Sequence, residues 1–112
     1  MEAARNPEFL PGTLDMLILK TLTLGENHGY GIAHHIGQVS REALRVGEGS
    51  LYPALQRLLV NGWVEAKWGI SDNKRKARFY RITSTGLRQL ADEVRRFDAV
   101  LAGIRSVMES GT

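Results

Sequence analysis

The stretch EGSLYPALQRLLVNGWV (48–64) decides the fold. Leu51, Leu55, Leu58 and Leu59 fall at i, i+4, i+7 and i+8, the spacing of a helix with one buried stripe. Ser50 is a good N-cap, so the pattern predicts a helix over 50–61. Pro53 then occupies the third helical position, where a missing N–H costs nothing. Asn61-Gly62 ends the helix with residues that accept a left-handed backbone. The side opposite the stripe holds Gly49, Pro53, Gln56, Arg57 and Val60, flanked by Ser50 and Tyr52, with no acid after Glu48. A surface helix with an ordinary polar face reads this way. So does a recognition helix, which must present hydrogen-bonding groups to base edges without repelling phosphates. In that second reading Arg57 pairs with guanine or a phosphate, Gln56 reads adenine and Tyr52 donates to a phosphate.

On the C-terminal side, WVEAKW (63–68) alternates as a strand does, and ARFYRI (77–82) returns it as a hairpin. The intervening 69–76 reads as a long polar tip. Lys74, Arg75, Lys76, Arg78 and Arg81 place five of the chain's fifteen cations within eight residues, preceded by the single acid Asp72. Solvated loops usually mix their signs, so this one-sided run favours a polyanion that releases counterions on binding. Thr83 caps a last helix that runs to about Glu109. Its apolar residues Leu87, Leu90, Val94, Phe97, Leu101, Ile104 and Met108 step alternately by three and four, an unbroken heptad seam. One small domain cannot cover such a seam, which predicts a two-fold dimer.

On the N-terminal side, 12–24 reads as a first helix with Thr13 as N-cap and Asp15 in the positive first turn. It is apolar nearly all round, through Leu14, Leu17, Ile18 and Leu22 on one face and Met16, Leu19 and Leu24 elsewhere. This also points to cover by a second subunit, with Leu14 and Leu17 joining the seam at the interface. GENHG (25–29) is a turn, and 30–40 a second helix with Ile32, Ala33, Ile36 and Val39 toward the core. Residues 43–46 suggest a short strand. Residues 1–11, with two prolines, form an extended or frayed arm.

The order helix, helix, helix, hairpin, long helix is a winged helix-turn-helix pattern. The fold is mainly α with a small β-hairpin (α+β): a DNA-binding unit over 1–82 and a C-terminal dimerisation helix over 83–112, packed as one domain.

Bulk properties agree. The 112 residues fit one domain, and 43% hydrophobic with 24% charged residues supports a packed core. A net charge of +3 and a pI near 9.6 permit a polyanionic partner without requiring one. The absence of cysteine excludes disulfides, thiolate zinc sites and cysteine nucleophiles. No secretory signal or membrane span is visible, so the expected compartment is the cytoplasm. His34 and His35 are adjacent and point to different helix sides, which argues against a metal site with His28. The glycines of GENHGYG lack the strand and Lys of a phosphate loop, and nothing aligns a Ser-His-Asp triad. No cofactor and no enzyme activity are expected. Trp63 and Trp68 read as core or interface residues, or as stacking groups for a ligand.

The chain resembles the PadR family of bacterial transcriptional regulators over nearly its whole length. The matching stretches are GTLDMLILKTL (12–22), HGYGIA (28–33), EGSLYPALQRLLVNGWV (48–64) and RKARFYRITSTGLRQL (75–90). The opening and the wing are similar to a subgroup abundant in acidobacteria, and the single terminal helix resembles the short-tailed class. The resemblance implies a homodimer on double-stranded DNA, with its third helices in successive major grooves of a palindromic site and its wings beside the flanking minor grooves or backbone. It places Tyr30 near the DNA; the Glu common after HGY is Gly31 here. Some relatives release DNA on binding a small aromatic or drug-like effector at the dimer interface. The competing class is a winged-helix module that binds protein without DNA. That class predicts an apolar third helix and little basic bias.

Overall fold

A computed structural model describes residues 12–111, so the expected arm over 1–11 lies outside the described residues. The elements run α1 (Thr13–Leu22), β1 (Asn27–His28), α2 (Gly29–Val39), α3 (Glu48–Val60), β2 (Val64–Ile70), β3 (Lys76–Ile82) and α4 (Ser84–Glu109). The result is the expected α+β winged-helix architecture, with one addition. Asn27 and His28, expected in a turn, pair with Tyr80 and Phe79 and make a third strand, giving the antiparallel order β1-β3-β2.

The core is built where the apolar periods converge. Ile18 and Leu19 of α1, Ile32 of α2, and Leu51, Leu55 and Leu58 of α3 are fully buried, and Val64 and Tyr80 close the cluster from the sheet. Ala54 adds a small buried surface on α3, while Leu59 is only half-buried. The α1 helix is covered on one side by its own chain, with Met16 and Leu17 half-buried. It packs on α2, α3, β3 and α4, and its buried residues Leu14, Asp15, Ile18, Leu19, Thr21 and Leu22 are covered by its own chain. Leu14 therefore belongs to the subunit's own core, and Leu17 is half-buried beside it.

Other boundaries differ for local reasons. The α3 helix starts two residues earlier than Ser50, because Gly47 in extended backbone serves as N-cap without any side-chain bond. Ser50 is therefore inside the first turn, and Pro53 is the sixth helical residue. Its missing N–H leaves the exposed Gly49 carbonyl without an intrahelical donor. Likewise Gly12, not Thr13, caps α1. Val39 is exposed at the end of α2, not buried. Residues 43 and 44 are bends and 45–46 are irregular, so no strand forms there.

The α3 exit is a Schellman turn. Gly62 takes φ 75°, its N–H donates to Leu59 O at 3.0 Å, and Trp63 N–H donates to Leu58 O at 3.0 Å. That turn launches β2 directly from the C-terminal end of the recognition-helix candidate, so the wing's position is set by α3. The wing tip is short. Ser71 N–H donates to Arg75 O and Lys74 N–H to Ser71 O, both at 2.8 Å, leaving a three-residue loop in which Lys74 adopts φ 64°.

Candidate nucleic-acid interface

The outer side of α3 is exposed at Gly49, Ser50, Tyr52, Pro53, Gln56, Arg57 and Val60. Buried Leu51, Ala54, Leu55 and Leu58 hold this face outward. Tyr52 leans toward the start of α2, where a side chain at Gly29 would meet its hydroxyl at 3.0 Å. Tyr30 is 74% exposed on α2. Its ring stacks with His34 at 5.9 Å and, more loosely, with His28 at 6.5 Å. His28 fixes this group: its Nδ1 accepts the Gly31 N–H at 3.1 Å as the α2 cap, and its ring meets the edge of Phe79 at 5.2 Å. Gly31 leaves room for Asn27, whose Oδ1 a Cβ would meet at 2.1 Å.

Arg57 departs from expectation. Its guanidinium donates to Asp15 Oδ1 at 2.8 Å, so part of it ties α3 to α1 instead of facing outward. Asp15 is the missed partner. It lies in helical phase with Ile18, Leu19 and Leu22, so its phase already marked it as a charge on the buried side of α1. A buried carboxylate needs a charge-assisted donor, and Arg57 supplies one. Two neighbouring substitutions should therefore separate. Arg57→Ala leaves Asp15 without its cation and should destabilise the fold by about 1–3 kcal/mol. Gln56→Ala should leave stability within about 0.5 kcal/mol and change base preference by about 1–3 kcal/mol. Thermal melts alongside binding to single-base operator variants check both. Equal melting temperatures for the two proteins would show that the Asp15 bond carries no stability.

The wing separates its charges by face. On one face Arg81 pairs with Glu65 across the strands, and Lys67 with Glu26 at 3.4 Å. The bond to Glu65 raises the already high pKa of Arg81. Arg81 therefore faces Glu65 on the side of the sheet opposite Lys76 and Arg78. Lys74, Arg75, Lys76 and Arg78 make no ion pair with any described residue. Tyr80 joins wing to helix. Burial pushes its phenol pKa up, the Arg78 guanidinium works against this, and Tyr52 of α3 lies close enough to add a smaller upward push. Tyr52 lies against Gly29, directly after β1, and β1 pairs with β3, so the exposed start of α3 and the basic strand adjoin.

The α4 seam stands largely bare. Leu90 packs on the core, Leu101 is half-buried, and Leu87, Val94, Phe97, Ile104 and Met108 are exposed. The radius of gyration is 15.7 Å. A compact domain of this length would have about 13 Å, and the projecting helix accounts for the excess. Thr83 caps α4 as expected, accepting the Gly86 N–H at 3.0 Å.

Three helices and an antiparallel sheet on one core, with a basic ribbon beside an exposed helix, define a winged-helix protein. Residues 18–92 match the transcriptional regulator PadR-like family. An uncharacterized protein of Lysinibacillus sphaericus is 30% identical over 91% of this chain and 94% of its own length. Transcriptional regulator Rv3488 of Mycobacterium tuberculosis is 29% identical over 94% and 98%. A transcriptional regulator from Clostridium thermocellum superposes with TM-score 0.78 at 28% identity, covering 85% of this chain and 92% of that one. A PadR family regulator from Eggerthella lenta gives TM-score 0.75 at 26% identity, covering 89% and 85%. The chain belongs to the PadR-like family, and it is a DNA-binding transcriptional regulator rather than an enzyme. No helix among the described residues is long and apolar enough to cross a membrane.

Proposed function

We propose that this chain is a homodimeric repressor of the bacterial cytoplasm that binds a palindromic operator. The carrying observation is that Tyr52 sets the exposed start of α3 against Gly29, directly after β1, the strand that pairs with β3 of the basic wing. In this reading Ser50, Tyr52, Pro53 and Gln56 enter the major groove, and the exposed remainder of Arg57 reaches a phosphate. Tyr30 lies over the adjacent backbone, and Lys74, Arg75, Lys76 and Arg78 hold phosphates beyond it. The α4 seam joins two copies so that their α3 helices meet grooves about one turn, or 34 Å, apart.

A cleft of about 300 Å³ beside the seam, lined by Gly12, Thr13, Met16, Glu93, Arg96, Phe97 and Val100, supports release by a small aromatic effector. An aromatic molecule there would press on Phe97 and on the root of α1, and so alter the dimer angle. The exposed side of α3 is mostly polar, which speaks against a protein-docking helix.

Selection of bound fragments from a genomic DNA library tests the reading, and repeating it with small aromatic compounds tests the effector. The expected product is an enriched palindrome at moderate salt. Reversing the charge of Lys74, Arg75 and Lys76 together should weaken binding to all sequences, with the salt slope falling by about 0.9 for each phosphate left unneutralised. Unchanged affinity in the triple variant would remove the wing from the interface. A stable monomer that enriches no sequence would remove the whole reading.

A further inference from the structure

Trp68 and Ile70 are 63% and 66% exposed on β2. In the register of the sheet Trp68 faces Arg78 and Ile70 faces Lys76. These four share one sheet face with Val64, Ala66, Tyr80 and Ile82, because side chains alternate along each strand. At the base of the wing that face is the domain's core, with Val64 and Tyr80 buried. Farther out the same apolar stripe continues into solvent, Ile70 toward the tip and Trp68 one pleat behind it. Of the readings of Trp68 as a core residue, an interface residue or a stacking group, its exposure removes the first.

The surroundings select what covers it. Lys74, Arg75, Lys76 and Arg78 flank the stripe, and Asp72 is the only acid at the tip. The Lys76 ammonium lies 5.0 Å from the centre of the Trp68 ring, so charge and apolar surface are presented together. A second wing of the same chain would bring like charge against like. Duplex DNA offers the complementary pair: apolar deoxyribose walls lined by phosphates. The ribbon backbone is too wide for a minor groove of about 6 Å, so only side chains enter it.

We propose that Trp68 and Ile70 form an apolar wedge that enters the minor groove beside the α3 site, while the four cations hold the phosphates along its rims. The proposal rests on the DNA-binding reading above and adds a sequence preference to it. A wedge is admitted most readily where the steps unstack easily, so the wing selects flanking bases that it never hydrogen-bonds.

The test uses the full chain and a duplex carrying the selected site. In protein labelled with 5-fluorotryptophan, the Trp68 resonance should shift on adding duplex, while that of half-buried Trp63 stays in place. Trp68→Ala should weaken binding about tenfold, within the range for removal of an aromatic ring that stacks on nucleic acid, and leave the salt slope unchanged. Lys74→Ala should instead lower that slope by about 0.9. Ile70→Ala provides a second, smaller truncation should Trp68→Ala disturb the hairpin, and it should flatten the preference for flexible flanking steps. Normal affinity in both truncations with an unmoved Trp68 resonance overturns the wedge while leaving DNA binding intact. A Trp68 resonance that moves with protein concentration alone assigns the stripe to a second copy and also overturns it. A wild-type chain that binds no duplex at low salt fails at the earlier reading instead.

Discussion

A protein carrying Val94→Glu and Phe97→Glu should sediment as a monomer and lose about 10²–10⁴-fold in affinity for a two-half-site duplex. Both residues lie on the bare seam of α4, and Phe97 also lines the cleft against α1. The stability of α4 argues for a covered seam. Beyond Phe97 the helix continues to Glu109 with Val100, Ile104, Val107 and Met108 in solvent. A free helical segment of that length is marginal in water. Covering each large apolar side chain is worth about 1.5–3 kcal/mol, enough to offset the ordering of the last turns. Two glutamates placed face to face across a two-fold axis reverse this, through reduced burial and like-charge repulsion.

Loss of the dimer then reaches DNA through linkage. One α3 and one wing bind a half-site as before, but the second half-site is no longer delivered at high effective concentration. Sedimentation velocity measures the first effect, and anisotropy with full and half operators the second. The variant should bind both duplexes equally. A double-glutamate protein that stays dimeric would place the subunit interface elsewhere. A monomer with undiminished affinity would show that a single subunit supplies all the DNA-binding groups.

Legibility in the sequence followed the range of the interactions. The α3 stripe and the α4 seam were readable because a periodic pattern is a local property, and Leu51, Leu55 and Leu58 are buried as their spacing required. The Thr83 cap was readable for the same reason. β1 was not, because two residues become a strand only by pairing with Tyr80 and Phe79 more than fifty positions away. The α3 start is not legible, because Ser50 has the chemistry of a cap, while the actual cap, Gly47, acts through backbone geometry alone. At the wing tip a lysine, not a glycine, takes the left-handed position, so the tightness of the turn left no signal. Within the site, the polar outer face of α3 was legible, but the partner of Arg57 was not. The Asp15 bond spans 42 positions, and it moves that guanidinium from base reading toward holding α3 in place.

The second large effect should come from Gly86→Ala, at the root of α4. An added Cβ would lie 2.1 Å from the Trp63 carbonyl oxygen and 2.8 Å from Ile82 Cγ1. The oxygen is backbone and cannot rotate aside. It also accepts the Thr83 N–H at 3.0 Å, while Thr83 Oγ1 donates to Gly62 O at 2.7 Å. The α3 exit and the α4 entry are thus bonded together at the point where the methyl group intrudes. Relieving the clash strains packing by about 1–3 kcal/mol and weakens a cap worth about 1 kcal/mol. Set against the gain of up to about 1 kcal/mol in helix propensity, a net loss near 2 kcal/mol lowers the melting temperature by roughly 10 °C for a domain of this size. Gly103 in the same helix is the control, since a Cβ there meets nothing within 4 Å. Gly103→Ala should stabilise by up to about 1 kcal/mol through helix propensity alone. Melts at equal protomer concentration check the pair, because dimerisation makes the midpoint concentration-dependent. Opposite signs are expected from one substitution made twice. A Gly86→Ala midpoint equal to wild type would mean that the corner yields freely. In that case the direction of α4, and with it the spacing of the two α3 helices, would not be fixed by the fold of one subunit.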